Sequence, residues 1–172
     1  MKTIVELLKG SKFVVVDTET TGLNSYDEVV QVGILSPDGT IIMDELVKPT
    51  RQIPIEAQMI HGITNQMVED KRTIAQLEPR LRACLEGHIV VAYNADFDMR
   101  MLWQSLQIHS PESAWLEMLT WVDVMKPYAN FRGGKWQRLA NACAQLGIPV
   151  VDDHSAIGDC RLTLAILQKF GV

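Results

Sequence analysis

The sequence has few cysteines, no surplus of positive charge and no long apolar run, and each shortage removes a class of protein. Its three cysteines, Cys84, Cys143 and Cys160, are odd in number and lack metal-ligand spacing. A disulfide framework or a cysteine zinc site does not fit them, and buried thiols in a reducing compartment are expected. The net charge of −5 leaves no coat of basic residues for wrapping a nucleic acid. A nucleic-acid enzyme remains compatible, because bound metal ions and local Lys or Arg supply positive field where it is needed. No stretch approaches a membrane span, and Glu6 interrupts the short apolar run near the start. A membrane protein and a signal peptide are therefore not expected, and the expected location is cytoplasmic. Repeats, low-complexity tracts and linkers are also missing. The 172 residues are thus expected to form one domain, 1–172, long enough to bury a core.

What is present is organised around Phe13-Val14-Val15-Val16-Asp17-Thr18-Glu19-Thr20-Thr21-Gly22. An apolar, β-branched run reads as a buried strand, and Thr-Thr-Gly ends it. Side chains alternate along a strand, so Phe13, Val15, Asp17 and Glu19 share one face. Two carboxylates there repel each other and lose hydration, which favours either a bound proton or a divalent cation held by both. A strand simply leaving the core for solvent is the other reading, and this segment fits both.

The chain around that strand alternates between two patterns. A short helix is expected over 2–9. A second strand over 28–35 and a third over 40–47 flank the turn Ser36-Pro37-Asp38-Gly39, giving an antiparallel meander. Short helices follow over 53–61 and 64–70, with Pro54 and Gly62 as start and stop signals. A helix over 76–85, a buried strand over 89–93 and a helix over 95–107 come next. Helices are expected over 114–125, 136–146 and 153–169, the first two separated by the basic loop Arg132-Gly133-Gly134-Lys135. This order argues an α/β domain with a mixed sheet.

Two further carboxylates fall on apolar stripes. Asp98 heads the line of Met101, Leu102 and Leu106, and Asp159 is in line with Leu162, Thr163, Ile166 and Phe170. Aspartate on a core-facing stripe is uncommon unless it has a partner. His154 lies five residues before Asp159, at the entrance of that helix and off its stripe. A histidine there is commonly a cap or surface residue; near four carboxylates it becomes a candidate general base.

Three separated motifs resemble those of the DnaQ-like 3′–5′ exonucleases of the DEDDh type, within the ribonuclease H-like fold. They are Asp17-Thr18-Glu19-Thr20-Thr21-Gly22, Asn94-Ala95-Asp96-Phe97-Asp98 and His154-Ser155-Ala156-Ile157-Gly158-Asp159. Between the first two, Glu56-Ala57-Gln58-Met59-Ile60-His61-Gly62-Ile63-Thr64 looks like the family's substrate-side segment. The resemblance runs from residue 13 to 169 and departs at Tyr93, where the family has His. It implies a mixed five-stranded β-sheet, a three-strand antiparallel meander plus parallel strands, flanked by helices.

The resemblance also implies that Asp17, Glu19, Asp98 and Asp159 hold two Mg²⁺ or Mn²⁺ ions, with Asp17 as the bridging ligand. Glu19 and Asp159 would serve the metal that activates the attacking water, and Asp98 the one near the leaving 3′ oxygen. His154 would take the water's proton. Thr18, Thr20, Thr21, Glu56, His61 and Asn94 match positions on the substrate side. The implied substrates are 3′ ends of single-stranded DNA or RNA, and the products nucleoside 5′-monophosphates.

Two rival readings remain at this point. A haloacid dehalogenase-like phosphohydrolase explains Asp17 and Glu19 but leaves Asp98, His154 and Asp159 unused. A non-catalytic nucleic-acid-binding or docking module on the same fold would be free to lose acids that this chain keeps. Arg132, Lys135 and Arg138 are expected to contact substrate phosphates, and Trp103, Trp115, Trp121 and Trp136 to serve core or partner surface.

Overall fold

The computed structural model describes residues 1–108, 114–150 and 154–172. Helix α1 (Lys2–Leu8) leads into β1 (Phe13–Thr20), β2 (Val29–Leu35) and β3 (Ile41–Leu46). Then come α2 (Ile55–His61), α3 (Asn65–Val68), α4 (Ile74–Leu85), β4 (Ile89–Ala92) and α5 (Ala95–Gln107). A 3₁₀ turn (Trp115–Met118), β5 (Thr120–Asp123), α6 (Met125–Phe131), α7 (Leu139–Gln145) and α8 (Ala156–Lys169) complete the order.

The strands form one sheet in the order β3-β2-β1-β4-β5. β1 and β2 pair antiparallel, as do β2 and β3, whereas β4 runs parallel to both β1 and β5. This is the mixed five-stranded sheet expected from the resemblance. The Pro37-Asp38-Gly39 turn closes the β2–β3 hairpin, with Gly39 at φ 85° and its amide donating to the Ser36 carbonyl.

The alternation of β1 sorts its side chains between two cores. Phe13 and Val15 pack with Val91 and Val122 under Ile157, Cys160 and Leu164 of α8, with α1, α6 and α7 alongside. Val14 and Val16 pack on the opposite face with Leu77 and Leu81 of α4 and Met101, Leu102 and Leu106 of α5. A smaller cluster joins Val30 to Ile53, Ala57, Ile63 and Val68, seating α2 and α3. Cys143 and Cys160 are buried, Cys84 is half-buried, and all three are free thiols.

Several boundaries differ from the sequence reading, among them the helix expected over 136–146, which is α7 (Leu139–Gln145). The helix expected over 114–125 is a 3₁₀ turn, the strand β5 and the start of α6. Thr120-Trp121-Val122-Asp123 is only four residues long, and β5 forms through its parallel pairing with β4 and not through a local pattern. Helix α4 starts at Ile74 and not at Gln76, because Thr73 and Gln76 form a reciprocal capping box. The last helix is described from Ala156, and Asp153, where it was expected to begin, lies outside the described residues.

Candidate active site

The acids of β1 lie where the sheet opens. The paired stretch of β1 and β4 is Phe13–Val15, so Asp17 and Glu19 lie beyond it, at the carboxyl end of β1. From β1 the sheet continues to antiparallel β2 on one side and to parallel β4 on the other, and β4 pairs only with Phe13–Val15, which leaves the end of β1 beyond Val15 open on that side. Asp17 and Glu19 continue the Phe13–Val15 row toward α8 and are half-buried.

Asp159 comes to them from the first turn of α8. One carboxylate oxygen each from Asp17, Glu19 and Asp159 lie within 4.8 Å of one another. Three oxygens at that spacing suit a hard divalent cation such as Mg²⁺ or Mn²⁺.

Asp98 enters from the other side, in the first turn of α5, and is only 3% exposed. Its Oδ1 accepts a 2.9 Å hydrogen bond from the Thr18 hydroxyl. Thr18 faces away from Asp17 and Glu19 along β1, so it reaches α5 while they reach α8. The neighbouring Asp96 is exposed and ion-paired with Lys126. Burial thus separates two acids that sit two residues apart in one motif.

The four carboxyls share one electrostatic environment. Burial first, and then the negative charges of Asp98, Asp159 and Glu19, push the Asp17 carboxyl well above the usual carboxylate range. Burial lifts Asp98 to about 7, opposed by hydrogen bonding from Thr18 and reinforced by the charge of Asp159. Without a cation, burial and mutual repulsion favour the protonated forms of Asp17 and Asp98. A cation relieves the same repulsion, so the donor set fits a divalent metal.

His154 is exposed, stands two residues before α8 and has φ 39°, in the left-handed region. Ser155 follows as the helix cap, its side chain accepting from the Gly158 amide. The helix therefore carries Asp159 into the cluster while His154 stays at its mouth.

The positions expected on the substrate side fall into two groups. The hydroxyls of Thr18, Thr20 and Thr21 donate within the protein, to Asp98, the Gly22 carbonyl and Asp27 respectively. Asn94 is the half-buried residue preceding α5. Glu56 is exposed in the first turn of α2. His61 closes that helix, buried, with Nδ1 accepting from the Ile63 amide. Burial lowers its pKa, partly offset by the Thr20 main chain, which places its ring beside the end of β1. On the same helix Ile55, just before Glu56, and Met59 and Ile60, just before His61, stand exposed.

Tyr93, the departure from the family pattern, is buried at the end of β4 and donates its hydroxyl to the Gln137 carbonyl at 2.9 Å. It fixes the segment after Gly133-Gly134, and Arg132 before these glycines and Lys135 and Arg138 after them are all exposed. Trp115 is buried, Trp121 is half-buried, and Trp103 and Trp136 are exposed.

Sequence reasoning passed over the residues that join these parts. Gln104 of α5 donates to the carbonyls of Asn24 and Asp27, and Ser105 accepts from the Val29 amide, so α5 holds the loop after β1. Gln31 of β2 accepts from the Ala156 amide at 3.1 Å. A buried glutamine inside Val-Val-Gln-Val-Gly was the available signal.

Residues 14–167 match the RNase_T family model, described as an exonuclease. An exonuclease of Escherichia phage 186, Uncharacterized exonuclease CP81, is 34% identical over 164 residues, spanning 89% of this chain and 84% of that protein. DNA polymerase III PolC-type of Thermotoga maritima is 32% identical over 169 residues, covering 92% of this chain but 12% of the polymerase. Among solved structures, exonuclease X in complex with 5′-overhanging duplex DNA superposes with a TM-score of 0.72 at 29% identity, over 92% of this chain and 90% of that one. By sequence and by fold, the chain belongs to the DnaQ-like exonuclease family of the ribonuclease H-like superfamily.

Proposed function

We propose that this chain, acting as a single domain in the cytoplasm, is a DEDDh-type 3′–5′ exonuclease. It removes nucleotides from the 3′ ends of single-stranded DNA or RNA and releases nucleoside 5′-monophosphates. The observation that carries the reading is the convergence of Asp17, Glu19 and Asp159, with oxygens within 4.8 Å, beside the buried Asp98. Such a set has no use as a surface charge patch, and it matches a need for divalent cations. Exonuclease X, the similar structure, holds 5′-overhanging duplex DNA, which puts DNA first. No helix among the described residues is long and apolar enough to cross a membrane.

Asp17, Glu19 and Asp159 would hold one Mg²⁺ or Mn²⁺ ion, and Asp98 with Asp17 a second. Bound there, the two ions would supply Lewis-acid stabilisation of the phosphoryl charge and lower the pKa of the attacking water. His154, at the mouth of the cluster, would accept that water's proton as the new P–O bond forms. The 3′ oxygen of the preceding nucleotide would leave and take up a proton. Glu56, His61, Asn94 and the main chain of Thr18 to Thr21 would surround the terminal nucleotide. The Thr18 hydroxyl would orient Asp98.

The test compares DNA and RNA oligonucleotides of one sequence, each labelled at the 5′ end, with Mg²⁺ or Mn²⁺. A descending ladder that disappears with EDTA and with Asp17→Ala supports the reading, and the relative rates assign the sugar. No cleavage of either by a folded, metal-binding protein overturns it in favour of a docking module. A covalent aspartyl-phosphate detected by mass would instead revive the phosphohydrolase.

A further inference from the structure

Gln31 is 9% exposed in the middle of a strand whose other residues are apolar. A buried amide is tolerated when its polar atoms are bonded, and these are. Its Oε1 accepts the main-chain N–H of Ala156, the first residue of α8, at 3.1 Å. Its Nε2 donates to Oδ1 of Asp44 on β3 at 2.8 Å. The Ala156 amide is among the N–H groups that open a helix without an internal acceptor. Ser155 satisfies the Gly158 amide from within the chain, and Gln31 satisfies Ala156 from the sheet.

The register gives this bond its meaning. Gln31 is the β2 partner of Glu19, and Gly33 is the β2 partner of Asp17. A Cβ on Gly33 would lie 2.7 Å from the carbonyl carbon of Ala156 and 2.8 Å from the amide of Ile157. The first turn of α8 therefore rests directly on Gly33. Further along, the Cys160 thiol donates to the carbonyls of Val15 and Gly33 at 3.5 and 3.4 Å. The two β2 residues opposite the acids of β1 thus grip the turn flanked by His154 and Asp159.

We propose that Gln31, held in its rotamer by Asp44, is a positioning residue that seats the start of α8. It thereby sets how far Asp159 and His154 stand from Asp17 and Glu19. The proposal rests on the exonuclease reading above. Gln31 touches neither substrate nor metal in this account and acts through α8. Asp44 is exposed, so changing it perturbs the lock and leaves the core intact.

The test uses three variants of the full chain: Gln31→Leu, Asp44→Ala and Asp44→Asn. Asparagine keeps an oxygen that accepts from the Gln31 amide, and alanine does not. Each variant is assayed for Mn²⁺ affinity by electron paramagnetic resonance, for melting temperature, and for kcat and KM on the p-nitrophenyl ester of thymidine 5′-monophosphate. Outer-shell partners of a metal site are typically worth about 10–100-fold in affinity or activity, so Gln31→Leu should lose about tenfold or more in kcat and in Mn²⁺ affinity. Asp44→Ala should lose about threefold to fivefold in both, and Asp44→Asn should stay within about twofold. KM for the small ester should hardly change.

Mn²⁺ affinities of Gln31→Leu and Asp44→Ala equal to that of the parent overturn the proposal. So does a loss confined to Gln31→Leu that only tracks its melting temperature, because that is structural support and not positioning. If the parent does not hydrolyse the ester, the exonuclease reading is the part in question, and the order of Mn²⁺ affinities still decides the role of Gln31.

Discussion

The Thr18 hydroxyl donates to Asp98 at 2.9 Å across 80 residues of sequence, joining β1 to α5 inside the acid cluster. This bond opposes the burial that raises Asp98 toward neutrality. Thr18→Val keeps the shape and removes the donor. It should lower stability by about 1–3 kcal/mol, the range for stranding a buried polar partner. It should also displace the pH dependence of Mn²⁺ binding to higher pH, because Asp98 loses a group that favours its ionised form. Urea unfolding and a Mn²⁺ titration at several pH values check both effects. An unchanged binding profile would mean that Thr18 does not tune Asp98.

The carboxyl of Asp98 is raised from 3.8 to about 7 in the folded chain. Between those values the folded state binds more protons than the unfolded state, so the Asp98 contribution to metal-free stability falls as pH rises from about 4 to about 7 and is level above. Asp17 is raised as well and contributes with the same sign. Asp98→Asn removes the ionisation and keeps an oxygen for Thr18. In EDTA at pH 8 this variant should be more stable than the parent by on the order of 1 kcal/mol or more, with the advantage vanishing toward pH 4. Adding Mg²⁺ should stabilise the parent more than the variant. Urea titrations across this pH range, with and without the metal, measure each part.

His154→Ala should keep its metal affinity and lose about a hundredfold or more in turnover, the range for removing a general base. Isothermal titration with Mn²⁺ and single-turnover cleavage of an oligonucleotide separate the two. A rate near that of the parent assigns the proton transfer elsewhere.

Arg132, Lys135 and Arg138 flank Gly133-Gly134, whose φ values are 90° and 88°, and all three cations are exposed. Neutralising them together should weaken oligonucleotide binding and reduce the slope of log K against log salt by about 2, at roughly 0.7 per single-strand phosphate contact. Fluorescence anisotropy at several salt concentrations measures the slope. An unchanged slope removes this loop from the substrate path.

The candidate site was more legible in the sequence than the framework that holds it. Asp17 and Glu19 declared themselves by standing on one face of a valine-rich strand, and Asp98 by heading an apolar stripe; both features are local and periodic. The helix over Ala95–Gln107 was read to its boundaries, since Asn94 and the Met101–Leu102–Leu106 stripe mark it. β5 was hidden because four residues at a sheet edge are specified by pairing with β4 and not by their own pattern. Helix α6 was missed beside it, only its first residue, Met125, falling within the expected helix over 114–125. Gln31, Gly33 and Thr18 were visible as residues but not as contacts. Their partners, Ala156 and Asp98, lie 125 and 80 residues away for the two hydrogen bonds, and no local period encodes that distance.

The central claim is that these converging acids remove nucleotides from a 3′ end. The most direct measurement labels one single-stranded DNA at its 5′ end and a second copy at its 3′ end, and follows both with Mg²⁺. The account predicts that the 3′ label appears at once as a mononucleotide while the 5′-labelled strand shortens stepwise, and that Asp17→Asn stops both. Early release of the 5′ label, or internal fragments from both strands, would contradict it.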